Sequence, residues 1–268
     1  MYSPRVTEHP QTHHPRRPAI GRRLAPLLAL AALLALWELL VAVKQYPSFF
    51  LPSPRAVWAR GLIALRDGSL LMHTWITLRE VFAGLFAGLS VAVVLGYFLA
   101  KTPALERLIA PYLAASQAIP IVALAPLLVI WLGPGMSSKV VVCALTLFFP
   151  VLVNTIVGLR SVDPELRELL CSLQASRWQS FVYLEIPAAL PVLLGGLKIG
   201  VTLSVIGAVV SEFVSADRGL GFLVNLARGL FDTPLMFVAL ITLMTIALSL
   251  YLLVSELERR VLRRQGRE

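Results

Sequence analysis

Charge is scarce in this sequence. Asp, Glu, Lys and Arg make up 15% of 268 residues, where about 25% is usual for a soluble domain. Hydrophobic residues reach 57% and mean hydropathy is +0.79, so a water-facing surface cannot be covered and the chain belongs in a bilayer. Cysteine is scarcer still. Cys143 lies inside an apolar run and Cys171 in a polar one, which excludes a disulfide framework and a redox pair. His9, His13 and His14 crowd the N-terminus, but no Cys or carboxylate cluster joins them, so no metal site is expected. The apolar runs also lack paired carboxylates and any nucleophile beside a base. That argues against a membrane-embedded enzyme and leaves no catalytic residue to name. Gly133-Pro-Gly-Met-Ser-Ser-Lys139 follows no strand and lacks the second glycine and the final Ser/Thr of a phosphate loop. No other segment offers a nucleotide-binding loop, so any ATP must be bound by another chain, and no cofactor is expected on this one. The net charge of +9 does not imply a nucleic-acid partner, because the basic residues sit beside apolar runs and do not cover a polar face.

What is present is a series of apolar runs, at 24–43, 74–100, 108–132, 140–159, 191–214 and 235–254, each near the ~20 residues that cross hydrocarbon. They predict an all-α, polytopic membrane protein with six transmembrane helices. The organisation expected is a disordered tail at 1–23, a first span and outer segment at 24–73, a membrane domain at 74–256 and a basic tail at 257–268. Arg16, Arg17, Arg22 and Arg23 precede the first run as they would in a signal peptide, but no small-x-small cleavage site follows before Lys44. It reads as an uncleaved span. Glu38 within it fits either a packed interior or the far interface. With both termini inside, arginines and lysines concentrate on the cytoplasmic side, as the positive-inside bias requires.

Inside the spans, Gly84-x-x-x-Gly88 and the row Gly196, Gly200, Ser204, Ala208 permit close helix approach. The third run carries Pro111, Pro120 and Pro126. A helix so broken must face neighbours or a cavity that satisfies its freed carbonyls. Gln117 and Pro120, with Asn154, Ser204 and Glu212, are the candidates for a solute pathway. A kinked packing helix in the first case, and a solvated acid at a membrane edge in the last, are the bland alternatives.

The most charged interior stretch is 163–191. Asp163 can cap a helix that begins at Pro164, and Leu166, Leu169, Leu170 and Leu173 follow at i, i+3, i+4, i+7, giving one apolar face. Ser176 and Gln179 form a capping box for a second helix, and Pro187 and Pro191 close it before the next span. Two short amphipathic helices interrupted by Arg167, Glu168, Arg177 and Glu185 are a poor lipid anchor. A protein partner suits them better.

This stretch resembles the EAA loop of permease subunits of type I ABC importers. The family pattern of Glu-Ala-Ala, Gly and Ile/Leu-Pro maps onto Glu168-Leu169-Leu170, Gln174 and Ile186-Pro187, with leucines for both alanines and Gln174 for the glycine. If the turn needs positive φ, that glutamine costs about 1–2 kcal/mol. Leu51-Pro-Ser-Pro54 and the segment from Glu212 to Gly221 resemble the nitrate, sulfonate and taurine branch. The resemblance implies that the loop is a cytoplasmic coupling helix seated in a groove of a separate ATPase subunit. Leu166, Glu168, Leu169, Leu170, Leu173, Gln174, Ala175, Ser176, Arg177 and Trp178 would carry that contact. It also implies ABC ATPase subunits, a second permease copy and a periplasmic or lipid-anchored solute-binding protein as partners, and a bacterial inner-membrane location. Nitrate, sulfonates, taurine, a pyrimidine thiamine precursor and riboflavin stay open as substrates, as does a homo- or heterodimer. The rival is a secondary transporter driven by an ion gradient. It should show inverted repeats and ionisable residues near the midplane, and Lys198 alone is weak support.

Overall fold

A computed structural model describes residues 19–264, all helix and connecting turns. Most of the 1–23 tail, including His9, His13 and His14, and the last four residues of the basic tail lie outside the described residues. The helices are α1 (Ala19–Lys44), α2 (Pro54–Arg66), α3 (Ser69–Lys101), α4 (Pro103–Gln117), α5 (Ile121–Leu132) and α6 (Met136–Arg160). After these come α7 (Pro164–Ser172), α8 (Arg177–Ser180), a π-helical turn (Phe181–Glu185), α9 (Ile186–Val214), α10 (Leu220–Gly229) and α11 (Thr233–Arg264).

Among the described residues, α3, α6, α11 and the stretch Arg177–Val214 are each long and apolar enough to cross a membrane. The pair α4 and α5 makes a further crossing if its halves are taken together, bent by 95°. The apolar run at 24–43 lies in α1, which runs beside α2 and stacks Trp37 on Phe237 of α11 at 5.4 Å. Glu38 meets Arg55 of α2 at 3.5 Å. The arginine side chain is exposed, so Glu38 does not lie in a packed interior.

The prolines act unequally. Pro111, Pro126 and Pro150 lie inside helices, whereas Pro120 follows the end of α4 and leads into α5 with an extended backbone, φ −63° and ψ 122°. Residues before a proline are pushed out of the α region, which puts the bend at this proline. Pro187 and Pro191 do not close the second loop helix. The chain runs from α8 through the π turn into α9 as one helical path. In the π turn the Ile186 N–H reaches back five residues to the Phe181 carbonyl. Such a turn absorbs an extra residue without breaking the helix.

Helix α6 sits between α3 and α9, and glycines set how close they come. A Cβ on Gly88 would lie 2.8 Å from the Ala144 carbonyl oxygen, one on Gly96 2.7 Å from Thr155, one on Gly196 2.7 Å from Asn154, and one on Gly207 2.7 Å from the Cys143 backbone. The predicted Gly84-x-x-x-Gly88 step is thus one part of a longer stripe, Gly84, Gly88, Ala92 and Gly96, buried against α6. In lipid, helices gain little from apolar burial, and close van der Waals approach takes its place.

Gly88→Ala should therefore destabilise the purified chain by about 1–3 kcal/mol, read as a lower Tm in detergent. Gly195→Ala, whose Cβ would meet nothing within 4 Å, should leave Tm unchanged or raise it.

Candidate functional site

At one end of the bundle the α7–α8 loop projects with its caps formed as the sequence predicts. The Asp163 side chain accepts from the Glu165 N–H at 2.9 Å. Ser176 Oγ accepts from the Gln179 N–H at 3.2 Å while Gln179 Oε1 accepts from the Ser176 N–H at 2.7 Å. Between them Gln174 adopts φ 56°. Its N–H donates to the Cys171 carbonyl at 2.9 Å, and the Ala175 N–H donates to Leu170 at 3.0 Å. These two bonds are the paired 6→1 and 5→2 closure of a helix C-terminus that glycine usually provides. The turn keeps the glycine geometry with a glutamine in it.

No residue of α7 is buried. Leu166, Leu169 and Leu173 stand exposed, and Trp178 beyond the turn is 71% exposed; Leu170 and Ala175 are half-buried, while Glu168, Ser176 and Arg177 face outward. The ten loop residues predicted from sequence thus lie on one short projecting corner. Leu166, Leu169 and Leu173 are left uncovered there among the described residues, and an apolar patch of this kind marks an interaction surface.

The corner is tied to the bundle on the α8 side. Trp178 stacks on Phe181 at 5.7 Å, Phe181 meets Tyr97 of α3 edge-on at 5.3 Å, and Lys101 lies 5.6 Å over the Tyr97 ring. Lys101 also pairs with Glu185 in the π turn. The loop is therefore fastened to the end of α3 as well as continuous with α9.

The five pathway candidates separate. Gln117 and Pro120 line one cavity of about 390 Å³ at the α4–α5 bend, walled by Thr146, Phe149 and Pro150 of α6. Asn154 is half-buried and donates to the Pro150 carbonyl at 2.7 Å. Ser204 is fully buried and donates to the Val81 carbonyl at 2.9 Å across the α3–α9 contact.

Glu212 is 1% exposed, so it is not an acid solvated at a membrane edge. Thr77 donates to its Oε1 at 2.6 Å, the Gly221 N–H donates to Oε2, and the Leu220 N–H donates to the Thr77 hydroxyl at 2.8 Å. His73 Nδ1 accepts from the Gly219 N–H at 2.9 Å. The carboxylate thus holds the N-terminus of α10, where free N–H groups and the helix dipole favour a negative charge. Any Cβ on Gly219, which sits at φ 116°, would collide with that carboxylate, and one on Gly221 would come within 2.8 Å of Oε2. Beside it, Lys139 donates to Glu80 at 2.7 Å in a buried ion pair between α6 and α3.

Sequence reasoning met Lys139 only as the end of a failed phosphate loop and gave no role to His73, Thr77 or Glu80. The signal was available: His73, Thr77 and Glu80 stand at i, i+4, i+7 in an apolar run, one helix face that lipid would not tolerate. The charge on α6 that answers Glu80 has no signature in spacing.

Residues 92–263, which include the loop, the π turn and Glu212, match the family of binding-protein-dependent transport system inner membrane components. The chain belongs to this family. The permease is 50% identical over 246 residues to the riboflavin transport system permease protein RibX of Chloroflexus aurantiacus, covering 92% of this chain and 90% of that one. It is 35% identical over 239 residues to the formylaminopyrimidine transport permease protein ThiX of Halalkalibacterium halodurans, covering 89% and 95%. Among solved structures, the inward-facing MetNI methionine ABC transporter matches with a TM-score of 0.65 at 18% identity, over 73% of the permease and 97% of that chain. At that identity the likeness speaks for the fold. The permease is a membrane-spanning transport component of the type I ABC importer class.

Gln174→Gly should stabilise the loop turn by about 1 kcal/mol by removing the left-handed penalty, and Gln174→Val should weaken it. Both are read from hydrogen exchange at the Gln174 and Ala175 amides.

Proposed function

We propose that this permease is the membrane half of an ATP-driven bacterial importer, with both termini in the cytoplasm and the α7–α8 corner seated on a separate ATPase subunit. The ATPase holds ATP and Mg; this chain holds neither. Two permease copies enclose the pathway, and a periplasmic or lipid-anchored binding protein delivers the solute. The observation that carries this reading is the exposed face of Leu166, Leu169, Leu173 and Trp178 at the foot of a helical path that runs through to Val214. Burying a leucine is worth about 1.5–3 kcal/mol, so a few such side chains anchor a partner. The continuous helix then transmits its displacement. A solute driven by an ion gradient would need no such corner.

For the solute we infer a flavin of the riboflavin kind. The 50% identity to a permease named for riboflavin, over most of both chains, supports it. The formylaminopyrimidine-type precursor is the second reading, favoured by the likeness to ThiX. Gln117 and Pro120, which line the cavity at the α4–α5 bend, and Asn154, which packs against Gly196 of α9, are the residues we assign to the pathway. Ser204 and Glu212 would serve it indirectly, by holding α9 to α3 and to α10.

Replacing Glu168 and Leu169 with alanine should abolish co-purification of the ATPase while the permease still accumulates in the membrane. Retained ATPase, or undiminished solute uptake, would sink the coupling role. The orientation can be read without engineering, because Cys171 is exposed and Cys143 buried. A membrane-impermeant maleimide should label Cys171 in inverted vesicles and not in intact spheroplasts. Uptake of labelled riboflavin by a riboflavin auxotroph expressing the whole importer should depend on the permease. Uptake of the pyrimidine alone would reassign the substrate.

A further inference from the structure

At the loop end of the bundle, the inner ends of α3, α4, α6 and α7 enclose a cavity of about 540 Å³ that the transport reading does not use. Lys101, Arg107, Arg160 and Arg167 line it, with Glu106 as the single lining carboxylate. Two of the cations are occupied: Lys101 pairs with Glu185, and Arg160 with Glu106. Arg107 and Arg167 have no ion-pair partner among the described residues. Two exposed guanidinium groups on the wall of one cavity add their positive charge to the same space. Of the other acids at this corner of α7, Asp163 is engaged in capping the helix, and Glu165 and Glu168 form no ion pair with either arginine among the described residues. Pro103, at the start of α4, also lines the cavity, and no side chain caps that helix end, so the positive end of α4 adds to the same field.

We propose that this cavity is a binding site for a phosphate group, held between Arg107 of α4 and Arg167 of α7. Guanidinium groups suit phosphate oxygens because their paired N–H donors match them in spacing and plane. The phosphate comes either from an anionic phospholipid headgroup at the membrane surface or from free cytoplasmic phosphate. Basic pockets between membrane helices on that side characteristically take such groups. Bound there, it bridges the loop helix to the bent α4–α5 pair, a link that no side-chain pair between α4 and α7 supplies among the described residues.

The test uses the full-length chain without its partners, so its outcome is independent of ATPase coupling and of the solute. One arm titrates inorganic phosphate into the chain in an uncharged detergent, followed calorimetrically. The other reconstitutes it in phosphatidylcholine nanodiscs doped with phosphatidylglycerol and measures phosphatidylglycerol retained per chain. Binding is expected in at least one arm, and the arm that responds names the source. The Arg107→Gln/Arg167→Gln double variant should weaken it by about thirtyfold, on the basis of about 1 kcal/mol per basic residue. An Arg55→Gln/Arg66→Gln variant, with the same loss of charge at the other end of the bundle, should bind as the unaltered chain does. Arg107→Lys/Arg167→Lys keeps the charge and guards against misfolding, and should retain most of the affinity. No binding in either arm, or equal loss in the Arg55/Arg66 control, overturns the proposal.

Discussion

The structure depends on one helix that two prolines fail to break. Arg177 to Val214 runs as a single path of 38 residues, about 55 Å at 1.5 Å per residue. A proline inside a regular α-helix removes one hydrogen bond and clashes with the preceding turn. Here the π turn at Phe181–Glu185 ends one residue short of Pro187 and shifts the pairing to five residues. With a proper break at that point, the loop would be a separate appendage. Its caps and its leucine face would be unchanged, but its movement would end at Pro187.

A path of that length is useful only if it does not bend, and its stiffness is borrowed from α6. Gly196 and Gly207 on one side, and Gly84, Gly88 and Gly96 on the other, bring α9 and α3 against α6 at distances where a single methyl group would overlap its neighbours. Close-packed interiors have low compressibility, so the three helices shift together or not at all. The α4–α5 pair is built differently. Nothing in α4 is buried, its bend is held by one proline, and the cavity with Gln117 and Pro120 opens at that bend. The molecule divides into a dense slab and a loosely held, angled crossing beside it.

The sequence revealed whatever depends on near neighbours in the chain. The Asp163 cap, the Ser176–Gln179 box and the leucine spacing were all legible because each is a rule over three to seven residues. At Gln174 the sequence shows only a conditional cost, and the structure shows the glycine geometry retained. What could not be read depends on partners far apart in the chain. Glu80 and Lys139 are 59 residues apart, and Thr77 and Glu212 are 135 apart. Nothing in either local pattern points to the other. The second loop helix was cut short at Pro187 for a related reason: proline carries a breaker signal, whereas a π turn has none.

The two ends of the same helix explain why Glu212 is worth burying. An isolated carboxylate in a bilayer is expensive, and the cost is met here by a threonine hydroxyl, a backbone N–H and the start of α10. The surroundings fix Glu212 to α3 through Thr77 and to α10 through Gly221, so the far end of the helix is gripped at a point. Its near end is gripped too, by Glu185 on Lys101 and Phe181 on Tyr97. Both grips run to α3. A push delivered at Leu169 and Trp178 under the proposed function would therefore move α9 and α3 as a pair, and α10 with them. The apolar middle supplies rigidity, with Lys198 paired to Glu258 of α11 as its one ion pair among the described residues, and the contacts of Glu185 and Glu212 at the two ends set the direction of movement.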